Sequence, residues 1–378
     1  MVYLDNAATT FPKPQSVNRA VYKFMTEKAA NPGRSGHALS MEAAQEIYQC
    51  RESAAQLFHA EGPECVAFTL NATHAINLAL KGSLKQGHVI LSSLEHNAVL
   101  RPVHKLAEFG LSYDMADVDL YDDEKTLSNF EKLIKPETVM IACTHASNLC
   151  GRVLPIRRIG ELCNRHGLLF LVDAAQSAGV LPIDMQSMHI DYLCMPGHKG
   201  LYGPMGTGML ITCKGETLDT IIEGGTGSNS TDPQQPDFMP DRLESGTVNA
   251  PGIAGLRAGI DFVNRHTVEG LYAKEIKLSQ LLYDRLSGIK NIRFYTPRPN
   301  NGYVPVLGFN IGDMSSVEAV AKLDRAGLAL RGGIHCSPAA HRYFGTLSQG
   351  MIRASIGAFN TPDDIYCLYT AVKEIVRS

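Results

Sequence analysis

Short, continuously apolar runs alternate with longer amphipathic stretches through the first two thirds of the chain. Apolar runs without polar alternation are typical of strands covered on both faces of a sheet. Their alternation with helical patterns favours an α/β fold with a largely parallel sheet flanked by helices. Strands are predicted over residues 65–71, 88–93, 139–145, 168–173, 192–195 and 208–212, and helices over residues 40–58, 75–84, 100–109 and 156–165.

The pattern changes after about residue 214. Residues 223–240 are rich in Gly, Ser, Thr and Pro, which predicts a long loop. The remainder predicts long helices followed by a smaller α+β unit. The predicted helices cover residues 251–265, 268–287, 316–326 and the end of the chain from residue 362, and the predicted strands cover 306–311 and 351–355.

The composition excludes several classes of protein. The chain has 378 residues, which suggests two or three structural units. Its 35 Lys and Arg residues are balanced by 38 Asp and Glu residues, so neither broad nucleic-acid binding nor a polybasic membrane contact is expected. No apolar run approaches the roughly 20 residues of a spanning helix, and no secretory signal pattern follows Met1.

The cysteines indicate the redox environment. There are 9 of them, scattered and without a C-x-x-C pair, which suits neither a disulfide framework nor a structural zinc site. The simplest interpretation is free thiols in a reducing compartment, with no bound metal. We therefore expect a soluble, cytoplasmic protein.

Two predicted strands end in residues that could carry chemistry. Asp173 closes a buried strand, where a carboxylate is costly unless it meets a cation or hydrogen-bond donors. Its alternative role is a helix N-cap. Lys199 lies in a glycine-dense turn, where desolvation would lower its pKa and make it a Schiff-base candidate. Its alternative is an ordinary surface lysine, and the glycine spacing matches no nucleotide-binding motif.

Two further positions could bind a planar, phosphorylated ligand. His96 follows the strand 88–93 and could stack on a ring or move a proton, although a structural histidine is the alternative. Thr73 precedes a predicted helix, where a hydroxyl and backbone N–H groups can bind phosphate, and simple N-capping is the alternative. A lysine for a Schiff base, an Asp for a charged ring nitrogen and a phosphate site together describe a pyridoxal 5'-phosphate (PLP) site.

At these residues the chain resembles a group II cysteine desulfurase of the class V aminotransferase family. The similarity runs from the segment Tyr-Leu-Asp-Asn-Ala-Ala-Thr-Thr at residues 3–10 to Arg-Ala-Ser at 353–355. It implies the fold-type I scaffold of PLP-dependent transferases. In that scaffold residues 16–259 form a large domain, with a mainly parallel sheet flanked by helices. Residues 1–15 and 260–378 form a smaller α+β domain.

The resemblance also implies how the cofactor is bound. Lys199 forms the Schiff base with PLP, Asp173 pairs with its pyridine nitrogen, and Gln176 hydrogen-bonds its ring hydroxyl. His96 stacks on the ring and Asn148 lies beside the cofactor.

The phosphate of PLP is expected to contact Thr73 and His198. Residues 244–247, Glu-Ser-Gly-Thr, match a family segment in which the threonine, here Thr247, reaches the phosphate of the neighbouring subunit. A homodimer is therefore implied.

The C-terminal part indicates the reaction. Residues 331–338, Arg-Gly-Gly-Ile-His-Cys-Ser-Pro, resemble the short cysteine loop of group II desulfurases, which places the nucleophilic thiol at Cys336. A buried apolar cysteine is the alternative, but the small and polar neighbours favour an exposed loop, and Arg331 could stabilise the thiolate. Arg353 matches the family arginine that binds the substrate carboxylate, with a surface ion pair as the alternative. Arg331 and Asn6 complete the predicted substrate-binding residues.

The implied activity is conversion of L-cysteine to L-alanine with a persulfide formed on Cys336. Lys199 would remove the α-proton, His96 would move a proton, and a sulfur acceptor protein would take the product. A selenocysteine lyase acting on L-selenocysteine and a class V aminotransferase are the nearest alternatives, and a non-catalytic protein with the same fold is another. Four departures from the family pattern leave the substrate and the sulfur acceptor open: His74, Pro196, Gly200 and Ile334.

Overall fold

The computed structural model describes residues 1–33, 36–213 and 218–377 of the chain. A single turn of 3-10 helix covers Pro63–Cys65. The α-helices are α1 (Gln15–Glu27), α2 (Ala38–Phe58), α3 (Ala72–Ser83), α4 (Asn97–Ala107), α5 (Asp123–Glu131), α6 (Ile156–His166), α7 (Ala250–His266), α8 (Val268–Ser287), α9 (Ser316–Arg325), α10 (Pro338–Phe344) and α11 (Pro362–Arg377). The strands are β1 (Val2–Tyr3), β2 (Val66–Thr69), β3 (Gly87–Ser92), β4 (Leu111–Ala116), β5 (Thr138–Thr144), β6 (Leu169–Asp173), β7 (Tyr192–Pro196), β8 (Gly208–Thr212), β9 (Ile292–Phe294), β10 (Val306–Ile311), β11 (Leu328–Ala329), β12 (Arg331–Gly333) and β13 (Met351–Ser355).

A seven-stranded sheet with the order β2-β8-β7-β6-β5-β3-β4 forms the centre of the protein. The five strands from β7 to β4 are mutually parallel, and β8 runs antiparallel to both of its neighbours. Successive residues of one strand enter different cores: Val172 packs in the core on one face and Leu171 in the core on the other. Burial on both faces explains the continuously apolar runs, and the predicted mainly parallel α/β fold is confirmed.

A second, four-stranded antiparallel sheet has the order β12-β13-β10-β9, and β1 pairs with β11 in a separate two-stranded sheet. Leu4 packs into the core of this second unit, together with residues from α8, α9 and α11. The N-terminal segment and the last third of the chain thus share one core. The domain boundaries at residues 15/16 and 259/260 stay a prediction.

Most predicted elements are present with small shifts at their ends. The predicted strand 65–71 is shorter, because Asn71 caps α3 by accepting a hydrogen bond from the His74 N–H at 3.0 Å. The helix therefore begins at Ala72 instead of residue 75. The predicted loop is confirmed, since residues 218–249 contain neither helix nor strand.

The hydrophobic pattern did not predict α1, α5, α10 or β4. Strand β4 is the outer strand of the sheet, and its residues between Leu111 and Ala116 are partly or fully exposed. It therefore lacks the continuous apolar run that marked the inner strands. Among the helices of the described ranges, none combines the length and apolarity required to cross a membrane.

Candidate active site

The carboxyl ends of β5, β6 and β7 and the first turns of α3 and α4 surround one cavity of about 110 Å³. This is the edge at which open parallel sheets bind their ligands. Seven of the eight predicted cofactor-binding residues line this cavity, and the parallel register that pairs Thr144 with Asp173 aligns the strand ends. The seven are Thr73, His96, Asn148, Asp173, Gln176, His198 and Lys199.

Lys199 lies in the turn that follows β7. The turn packs closely on its neighbours at Gly200, where a Cβ atom would lie only 2.4 Å from the Ala178 carbonyl oxygen. Any larger residue at this position would force the turn or its neighbours to shift. Burial lowers the pKa of Lys199 to about 8, although the Asp173 carboxylate acts in the opposite direction. At pH 7 this leaves roughly a tenth of Lys199 in the neutral, nucleophilic form, far more than for an ordinary lysine.

Asp173 is almost completely buried, with 2% of its surface exposed. Its Oδ1 atom accepts a hydrogen bond from the Ala175 N–H at 2.9 Å, and among the described residues the carboxylate makes no other hydrogen bond. Burial raises the pKa of Asp173, while this bond and the charge of Lys199 lower it. A buried carboxylate without a paired cation fits a ligand that brings its own positive charge.

His96 caps α4, with its Nδ1 atom accepting a hydrogen bond from the Ala98 N–H at 3.0 Å. Burial, together with the nearby charge of Lys199, lowers the pKa of His96 to about 4, so the imidazole is neutral at pH 7. A neutral ring can lie against another planar ring without charge repulsion.

His198 presents a buried Nδ1 atom without a hydrogen-bond partner among the described residues. Its carbonyl oxygen accepts a hydrogen bond from the Lys13 Nζ atom at 2.7 Å, which fixes the turn to the N-terminal segment. Thr73 lies exposed in the first turn of α3, where backbone N–H groups lack helical partners. These donors suit a phosphate group. The Gln176 side chain already makes one hydrogen bond, since its Nε2 atom donates to the Ala7 carbonyl oxygen at 3.0 Å.

Arg353 is buried in β13 with 1% of its surface exposed. Its Nη2 atom forms an ion pair with Asp5 at 2.7 Å, and its Nη1 atom donates to the Asn148 carbonyl oxygen at 3.0 Å, while Nε has no partner among the described residues. Arg331 lies directly opposite Arg353 in the register of β12 and β13, and within the described ranges its guanidinium makes no hydrogen bond or ion pair. The surface ion pair considered for Arg353 is excluded by its burial, and its role toward substrate stays a prediction.

Five predicted site residues do not line the cavity: Arg331, Cys336, Arg353, Asn6 and Thr247. Asn6 donates to the Ser355 carbonyl oxygen at 3.0 Å and to Asn360 Oδ1 at 3.1 Å, so its amide nitrogen holds the N-terminal segment against the C-terminal part of the chain. Thr247 is exposed in the long loop before α7. The roles predicted for Asn6 in substrate binding and for Thr247 toward a partner subunit remain predictions.

Cys336 has an exposed thiol in the connection between β12 and α10. The predicted exposed loop is confirmed, and the alternative of a buried cysteine is wrong. Among the nine cysteines, Cys336 and Cys367 are exposed, Cys213 is partly exposed and the other six are buried.

Sequence reasoning missed two carboxylates at the site. Asp5 is the ion-pair partner of Arg353. Its position within residues 3–10, a segment that matches the family, could have indicated that it belongs to the site. Glu95 is fully buried and precedes His96 in the chain. Its Oε1 atom accepts hydrogen bonds from the Thr144 N–H at 2.8 Å and from the Ser92 hydroxyl. Its Oε2 atom has no hydrogen-bond partner among the described residues. Burial raises the pKa of Glu95 to about 8. No feature of the sequence distinguishes such a carboxyl from a surface one.

A lysine with a lowered pKa, a buried carboxylate without a cation and an open helix N-terminus meet in one cavity at the carboxyl edge of a parallel sheet. This arrangement defines a PLP-dependent enzyme of fold type I. The model of the aminotransferase class V family matches residues 2–368, and the chain belongs to this family. Its cofactor is PLP, on which enzymes of the family depend.

Named relatives and solved structures cover almost the whole chain. A probable cysteine desulfurase of Methanothermobacter thermautotrophicus is 34% identical, over 99% of this chain and 94% of its own. The structure of a cysteine desulfurase from Thermococcus onnurineus NA1 in its apo form aligns with a TM-score of 0.93 and 29% identity, over 100% of this chain and 94% of that one. The cysteine desulfurase CsdA of Escherichia coli, solved with an S-sulfonic acid, aligns with a TM-score of 0.89 and 27% identity over the same shares.

The rate at which PLP binds covalently should depend on pH through the protonation of the Lys199 amine. Only the neutral amine reacts with the PLP aldehyde, so the loading rate of stripped protein should rise with pH and level off above a midpoint near 8, instead of near the 10.5 of an ordinary lysine. Stopped-flow absorbance of PLP binding across pH 6 to 10 measures this midpoint. A rate that keeps rising through pH 10 would show that Lys199 is not desolvated.

Proposed function

We propose that this protein is a PLP-dependent cysteine desulfurase that converts L-cysteine to L-alanine and forms a persulfide on Cys336. The observation that carries the proposal is the placement of an exposed thiol on a loop bonded to Asn148, a wall residue of the cavity that contains Lys199. An aminotransferase would need no thiol there. The names of the relatives support the same reaction.

Within the cavity, Lys199 is the proposed base for the α-proton of the substrate, since its lowered pKa leaves part of it neutral at pH 7. When bound, PLP supplies an electron-accepting ring that stabilises negative charge next to the substrate α-carbon. Asp173 would maintain the positive charge on the ring nitrogen, and His96 would stack on the ring and could move a proton. Arg353 and the unpaired Arg331 are the proposed binding groups for the substrate carboxylate.

Cys336 carries out the sulfur transfer. Its thiolate attacks the sulfur of the bound substrate, so that an S–S bond forms while the C–S bond breaks. The electron pair of the broken bond passes to the substrate carbon, which then takes up a proton to give alanine. No external oxidant is needed, because the two-electron oxidation at sulfur balances the reduction at carbon.

The proposal extends to partners and location. Thr247 is exposed and does not line the cavity of its own chain, as expected for a residue that completes the phosphate site of a second copy in a homodimer. A sulfur acceptor protein that takes the persulfide sulfur at the exposed loop is proposed from the resemblance. The nine cysteines, scattered and without a C-x-x-C pair, suit the reducing cytoplasm.

The test is a substrate comparison. L-Cysteine, L-selenocysteine and L-cysteine sulfinate are supplied separately to the PLP-loaded protein under reducing conditions, and alanine, sulfide, selenide and sulfite are measured. The proposal expects alanine and sulfide in equal amounts from L-cysteine. Turnover confined to L-selenocysteine would favour a lyase, and amino transfer to a 2-oxo acid without release of sulfide would favour an aminotransferase.

A further inference from the structure

The loop that carries Cys336 has an unusual backbone. His335 has a φ of 52° and Cys336 a φ of 55°, both in the left-handed region that side chains other than glycine rarely adopt. Two consecutive residues in this region keep their conformation only when surrounding contacts impose it. The position of the thiol therefore depends on what the loop is bonded to.

Asn148 makes the contacts that span this loop. Its Nδ2 atom donates to the His335 carbonyl oxygen at 2.9 Å, and its Oδ1 atom accepts from the Ser337 hydroxyl at 2.7 Å. These bonds attach the residue before Cys336 and the residue after it to one amide group. Both Asn148, 8% exposed, and Ser337, 0% exposed, are buried, so neither bond competes freely with water.

The same asparagine also contacts the substrate end of the site. Its carbonyl oxygen accepts the 3.0 Å hydrogen bond from Arg353, and its side chain lines the cofactor cavity. Other bonds also hold the loop. The Asn97 N–H donates to the Cys336 carbonyl oxygen at 2.8 Å, the His335 Nε2 atom lies 2.8 Å from the Met351 carbonyl oxygen, and within the loop the Ser337 hydroxyl donates to the His335 carbonyl oxygen at 3.4 Å. Of the groups outside the loop named here, only the Asn148 amide bonds to the residues on both sides of Cys336.

We infer that Asn148, with Ser337, is a positioning pair that fixes the Cys336 thiol for attack on the substrate sulfur. The inference rests on the proposed desulfurase function. An error of about 1 Å in the placement of reacting atoms can cost about 100-fold in rate. Asn148→Ala should therefore lower kcat on the order of 100-fold, and Ser337→Ala, which removes one of the two bonds, on the order of tenfold.

Ser337→Ala is the more informative variant, because Ser337 does not line the cavity. It should keep the PLP absorbance and the KM for L-cysteine while kcat falls. Ser279→Ala is the matched control: Ser279 is equally buried, but within the described part of the chain its hydroxyl donates only to the Glu275 carbonyl oxygen of α8. We expect Ser279→Ala to match the unmodified protein.

Hydrogen exchange of the PLP-loaded proteins supplies a readout independent of activity. Loss of the positioning pair should accelerate amide exchange at residues 334–337 and at Asn97, with no change in the strands β5 to β7. Unchanged exchange in both variants, or an unchanged kcat in Ser337→Ala, would overturn the inference. If the unmodified protein released neither alanine nor sulfide, the proposed function would fail, and the exchange comparison would still decide whether the pair holds the loop.

Discussion

Substituting Cys336 with serine is expected to lower sulfide release from L-cysteine by at least about 100-fold, because a serine hydroxyl is a far weaker nucleophile than a thiolate and cannot form a persulfide. The cavity residues are unchanged, so PLP should bind with unaltered absorbance. The measurement is sulfide and alanine release under reducing conditions, together with the absorbance spectrum.

Cys367→Ser is the matched control for this prediction. Cys367 is the other exposed cysteine and lies on α11, outside the cavity. It should retain full activity. Sulfide release by Cys336→Ser at the rate of the unmodified protein would remove the thiol from the mechanism and leave a PLP enzyme that cleaves cysteine by another route.

Replacing Lys199 with alanine is expected to have the largest effect on chemistry at the α-carbon. The change removes both the covalent attachment of PLP and the proposed base, and loss of a single general base alone costs about 10²–10⁴-fold. Borohydride reduction should no longer fix PLP to the chain, as measured by mass spectrometry, and alanine formation should fall accordingly.

Added methylamine provides a diagnostic rescue of Lys199→Ala. The substitution leaves space in the cavity, and a small free amine can act there as a base. Partial recovery that increases with methylamine concentration would support a role for the Lys199 amine in proton transfer. Lys322→Arg, on an exposed ion pair with Glu318 in α9, should behave like the unmodified protein. Covalent fixation of PLP at another residue in Lys199→Ala would contradict the assignment.

The sequence was sufficient to predict the central sheet, because its inner strands are buried on both faces and leave continuous apolar runs. Asp173 and Lys199 could be placed on one rim because both follow such strands, and parallel strands bring their carboxyl ends to the same edge. Residues of the site that lie on short loops, such as Asn148, were placed by resemblance alone.

The connections between distant parts of the chain could not be predicted. The ion pair of Arg353 with Asp5 joins residues 348 positions apart, and the bond of Asn148 to His335 joins residues 187 apart. Neither has a local signal. The first depends on how the N-terminal segment lies beside β13, and the second depends on how the loop after β12 lies against the large sheet. Edge strand β4 was missed for a different reason, since its partial exposure removes the apolar run.

The central claim is that sulfur passes from L-cysteine to Cys336 as alanine forms. The most direct measurement is mass spectrometry of the Cys336 peptide after the PLP-loaded protein reacts once with L-cysteine in the absence of reductant, with alanine measured in the same sample. We predict that Cys336 gains the mass of one sulfur atom for each alanine formed, while Cys367 stays unmodified. Alanine formed in full amount with an unmodified Cys336 would contradict the account.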